Sequence, residues 1–137
     1  MWETFTSKPY FNEVRPIDHV LTPWSSWLIV ATPRTISAST PLKEFLAKLT
    51  KSIHAFDTPA ARSTSSKEFV MGHFGYPEED VESWLQTVTY PKVGVEVVEK
   101  ATVLTTLNIL VAAGVLETPE EGWLLEDFVD ESIATFE

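Results

Sequence analysis

The chain has 137 residues, no cysteine, 44% hydrophobic residues and a formal net charge of −10 from 20 acidic residues against 10 lysines and arginines. That length supports one domain with a true hydrophobic core, and folding can bury roughly two thirds of its extended surface. A disulfide framework, a thiolate nucleophile and cysteine metal sites are excluded, and the acidity without any basic run argues against nucleic acid and anionic membranes as partners.

Taken in chain order, the opening MWETFTSKPYF lacks the basic stretch and apolar core of a signal peptide. No stretch reaches the roughly 18 apolar residues of a membrane span. The expectation is a cytoplasmic chain without membrane insertion. Pro9 and Pro16 interrupt residues 1–22, and IDHVL (17–21) is a short strand candidate. WLIVA (27–31) is apolar on both faces, with β-branched Ile29 and Val30. It predicts a central, parallel strand covered on both sides. Trp24 stands just before it, placed to cover the sheet edge.

ATPRTISASTP reads as a loop with at most a short helical turn. Thr40 and Pro41 suit a helix start. Leu42, Phe45, Leu46, Leu49, Ile53 and Phe56 then recur at spacings of three and four, predicting an amphipathic helix over 41–57. DTPAARSTSS (57–66) reads as a polar connection. A helix over 66–74 follows, with Gly75 as its stop. Pro77 opens another, and Glu78, Glu79 and Asp80 fill its first turn, where the helix dipole favours negative charge. Residues 89–94 form a turn-rich linker. A helix over 95–113, buried on more than one side and ended by Gly114, comes next, and a short acidic helix carrying Leu125, Phe128, Val129 and Ile133 closes the sequence.

Little here carries chemistry by itself. His19, His54 and His73 have no zinc-type spacing. No serine sits in GxSxG, and no P-loop or GxGxxG is present. The acidic groups around Glu78 and in the last 21 residues read as helix-start electrostatics and a solvated face. The aromatics Trp2, Phe5, Tyr10, Phe11, Trp24 and Trp27 either cover a small core or line a pocket or interface. One apolar strand also needs sheet neighbours that the sequence hardly supplies.

The segments MWETFTSKPYF, TPWSSWLIVATP, PLKEFLAKLTKSIHAF and EFVMGHFGYPEEDVESWLQTVTYP, followed by a helix ending in AAGVL, resemble the C-terminal half of periplasmic-binding-protein-like type II proteins. Within these, the segments look like the fungal and bacterial relatives of the nitrate, sulfonate and thiamine-precursor binding proteins. The resemblance covers the chain to about residue 118 and implies an α/β class, as a partial lobe that is helix-rich with one or two sheet strands. Residues 1–20 would be a hinge and second-lobe remnant, and 21–137 the C-terminal part of the first lobe. Trp2, Glu3, Thr6 and Trp24 match segments that approach the ligand cleft. The implied function is non-enzymatic binding of a small organic molecule, with no cofactor. Relatives that make the thiamine precursor use a cysteine-rich motif that this chain lacks. The family is roughly twice this length, so the resemblance also implies a homo-oligomer, through domain swapping or otherwise, or a partner supplying the missing half. The alternative is a helical interaction or oligomerisation module with no small-molecule ligand.

Overall fold

The computed structural model describes Glu13, Ile17 and residues 27–137. The described residues are helix-rich with one parallel pair of strands. In order they form α1 (Pro33–Ser37), α2 (Ser39–Phe56), α3 (Pro59–Ser63), α4 (Ser65–Phe74), α5 (Glu78–Thr87), β1 (Val97–Val98), α6 (Lys100–Ala112), a 3-10 turn (Leu125–Asp127) and β2 (Thr135–Phe136). None of these helices is long and apolar enough to cross a membrane. They divide into two compact units, one of residues 50–92 and one of 27–49 with 93–137. IDHVL, apart from Ile17, and the boundary expected near residue 20 lie outside the described residues.

In the 50–92 unit, local signals fix the helix ends. Thr58 caps α3, its hydroxyl accepting from Ala61 N at 3.1 Å, and Pro59 occupies the first helical position. Thus DTPAARSTSS, read as a connection, holds a short helix. Gly75 closes α4 at φ 71°, its N–H donating to Met71 O at 2.9 Å. Glycine adopts that left-handed conformation at no steric cost. Pro77 then precedes α5, whose first turn carries Glu78, Glu79 and Asp80 as expected.

The core of this unit is Val70 from α4 with Val81 and Leu85 from α5, surrounded by Phe56, Met71, Tyr76, Trp84 and Val88. Buried Ser66 donates to Phe56 O at 2.7 Å, tying the end of α2 to α4. Lys67 reaches from α4 to Glu78 at 2.6 Å and Glu82 at 2.9 Å on α5. Hydrogen bonds first to Glu78 and then to Glu82 hold its ammonium above the ordinary lysine range. Arg62 is the other tie. Its guanidinium donates to the Asp57 carboxylate, to Leu85 O and, at 2.9 Å, to Val88 O. A cation is therefore held against the carbonyl end of α5, where the helix dipole is negative.

In the other unit, the two strands run parallel, Val97 opposite Thr135 and Val98 opposite Phe136. Thr135 N donates to Glu96 O at 2.9 Å and Glu137 N to Val98 O at 3.0 Å. Parallel strands need a crossover, and α6 supplies it. Gly114, at φ 70°, ends α6: its N–H donates to Val111 O and that of Val115 to Leu110 O, both at 2.9 Å. Leu46 of α2 and Leu107 of α6 are the buried apolar side chains here.

Three expectations change in this unit. WLIVA is in no regular element, and Trp27 and Val30 are 75% and 88% exposed. Its composition suits a strand, but a strand exists only with a paired neighbour, and the ladder among the described residues is β1 with β2. The helix expected over 95–113 begins only at Lys100, because the β-branched Val97 and Val98 join the ladder. Nor is that helix covered on several sides: Leu107 is its one buried residue, and Leu104 is 39% exposed. Finally, the acidic closing helix is reduced to the 3-10 turn. The Asp130 carboxylate accepts from the N–H and hydroxyl of Ser132. That local bond competes with helix hydrogen bonding and turns the chain into β2.

Candidate functional site

Trp2, Glu3, Thr6 and Trp24, the residues the resemblance places near a cleft, lie outside the described residues. So does His19. His54 and His73 are exposed. His73 is stacked on Phe69, with centroids 5.3 Å apart, and edge-on to Phe74 at 4.7 Å. Of the acidic residues opening α5, Glu78 is engaged by Lys67. Among the described residues, no group of three or more histidine or carboxylate side chains is gathered to hold a metal.

The structure instead shows an open groove of about 320 Å³ in the 50–92 unit. The last turns of α2 contribute Ser52, Ile53 and Phe56, one residue and then three further along, so they share a face. From α4 come Phe69, Val70 and Phe74, from α5 comes Trp84, and Tyr90 follows α5 in the linker. Val70 is a core residue, whereas Phe69 and Phe74 are both 56% exposed and form the rim. The Tyr90 ring meets Phe56 edge-on, with centroids 6.0 Å apart, an arrangement that satisfies the quadrupoles of both rings.

The lining carries no charged side chain. The nearest charge pair, Arg62 with Asp57, is closed on itself and on the carbonyls of Leu85 and Val88. Burial pushes the Tyr90 phenol above its ordinary range; the Arg62 guanidinium opposes this and the Asp57 carboxylate adds to it. Because the folded state holds this proton more tightly than the unfolded chain, its stabilising contribution is complete below the ordinary tyrosine range. It fades as pH rises through the raised value. Tyr90 is expected to form phenolate late in an ultraviolet titration. That late step should vanish in Tyr90→Phe and in denaturant; a single tyrosine-like step in the native protein would contradict the assignment.

Helical spacing alone does not separate aromatic side chains that line a groove from ones buried in a core, and this hides the groove in the sequence. The available signal was excess: Phe69 and Phe74 both flank Val70, more apolar bulk than a ten-residue helix needs to pack one face. Tyr90, in a segment read as a linker, gave no signal.

No family model matches the chain, and neither a curated protein nor a solved structure matches it. The resemblance to type II binding proteins rests on the quoted sequence segments.

Proposed function

We propose that the chain is a non-enzymatic binding module, and that the groove lined by Phe56, Phe69, Phe74, Trp84 and Tyr90 takes a small organic molecule. The aromatic, uncharged lining carries this reading. Ligand sites are concave and mainly apolar with few polar groups, and this groove sits at the small end of their size range. The type II resemblance supports the same class of function: parallel strands joined through a helix suit a partial lobe of that α/β fold. A cysteine-free sequence suits the cytosol.

The test is saturation-transfer NMR with naphthalene and other one- and two-ring aromatic compounds, followed by titration. A compound of ten to twelve heavy atoms is expected to bind with a Kd of about 1 mM or tighter, and Phe74→Ala is expected to weaken it. Absence of saturable binding by every compound overturns the reading.

A second reading, an interaction or homo-oligomerisation module, is favoured by a separate observation. Trp27, Leu28 and Val30 are exposed in one uncharged run, as at protein interfaces. Concentration-dependent association that is lost in Val30→Lys, with no small molecule bound, would support that reading over the first.

A further inference from the structure

The groove offers a ligand shape and apolar surface on nearly all sides, so selectivity falls to its few polar groups. Ser52 already has an interaction partner, and the Trp84 indole nitrogen is buried beneath the groove surface. The Arg62 donors face Asp57 and the carbonyls of Leu85 and Val88. The Tyr90 hydroxyl is different: among the described residues it makes no hydrogen bond, while its ring is fixed on the groove wall against Phe56.

Charge narrows the ligand further. An anion would enter a lining without a cation, within a chain of net charge −10, and would lose hydration without a paired charge. A cation would gain from the aromatic faces but would meet no carboxylate in the lining, because Asp57 is paired with Arg62. A neutral molecule with no acceptor would fill the groove but would cover the phenol without replacing its bond to water.

Resting on the binding reading above, we propose that Tyr90 is the specificity-determining residue of the groove, and that its hydroxyl donates to a carbonyl or ether oxygen on an uncharged aromatic ligand. The phenol suits this role because its ring supplies apolar contact and its O–H supplies one directed donor. Burial keeps that proton in place at neutral and moderately alkaline pH.

The experiment uses four probes built on one ring system: naphthalene, 2-acetylnaphthalene, 2-naphthoate and 2-naphthyltrimethylammonium. Each is titrated into the wild-type chain, Tyr90→Phe and Ser52→Ala by ligand-observed NMR. The acetyl compound is expected to bind wild type about 3–10-fold more tightly than naphthalene, the span of one net hydrogen bond. In Tyr90→Phe that ratio should fall to about one while naphthalene binding is retained, and in Ser52→Ala it should persist.

The failures are separable. If naphthalene and the acetyl compound both fail to bind wild type, the groove reading itself falls, and this inference with it. If naphthalene binds but the acetyl preference is absent, or survives in Tyr90→Phe, the groove stands and the Tyr90 assignment is overturned. Tighter binding of the naphthoate or the ammonium probe also overturns it. Should Tyr90→Phe fail to fold, the wild-type chain still decides. The Tyr90 ring resonances must then shift with 2-acetylnaphthalene in a way naphthalene does not reproduce, and equal shifts from both overturn the assignment.

Discussion

Leu85→Ala is expected to destabilise the 50–92 unit by about 2–5 kcal/mol. Leu85 is 5% exposed and packs in a cluster whose other buried members are Val70 and Val81. Truncation removes its transfer free energy and leaves a cavity that two short, rigid valine side chains are poorly shaped to fill. The loss is large beside the total stability of a small domain, about 5–15 kcal/mol. Urea unfolding followed by tryptophan fluorescence measures it, with Leu104→Ala as the reference. Leu104 is 39% exposed, so its truncation should cost far less. Equal losses at the two positions would contradict the burial described for α5 and α6.

The second large effect belongs to Arg62. Arg62→Ala is expected to cost about 2–3 kcal/mol, the scale of leaving partly buried polar groups without their charged partner. The carbonyls of Leu85 and Val88 lose a donor, and Asp57 keeps a charge without its cation. Asp57 and Arg62 are partly covered, with side chains 30% and 23% exposed, so water relieves some of the loss and keeps it below that of a fully buried pair. Arg62→Lys should recover only part, since one ammonium does not reproduce a planar fork serving three acceptors. Asp57→Ala combined with Arg62→Ala should cost less than the two single losses added together. Strict additivity in denaturant unfolding would show that the pair is not coupled.

How much of this was legible in the sequence depends on the range of each interaction. The spacing of Leu42, Leu46, Leu49, Ile53 and Phe56 marked α2, because a 3.6-residue period is written within one helix. Gly75, Pro77 and the acids after it marked the junction of α4 and α5 for the same local reason. The Thr-Pro pairs opening α1 and α3 were equally local, but helices of five residues are too short to carry an apolar period that confirms them. Long-range features were hidden. Val97 and Thr135 pair across the whole α6 crossover, and two-residue strands show no alternation. Arg62 looked like one more charge in a polar stretch, because its carbonyl partners, Leu85 and Val88, lie more than twenty residues further along the chain. WLIVA misled in the opposite direction. Its composition states what a strand would contain, and pairing decides whether one forms. The groove combines both cases: its helices were legible, whereas the gap between their aromatic side chains was not.

The β1–β2 ladder has a kinetic consequence. Its strands are joined by the longest crossover among the described elements, so closing it means losing the freedom of all the chain between them for only a few hydrogen bonds. The α3, α4 and α5 contacts close over much shorter spans. Loop-closure entropy therefore favours the contacts of α3, α4 and α5 forming before the ladder. By the same reasoning the ladder reopens more readily than the core around Val81. The amides of Thr135 and Glu137 would then exchange with solvent while the core around Val81 stays closed.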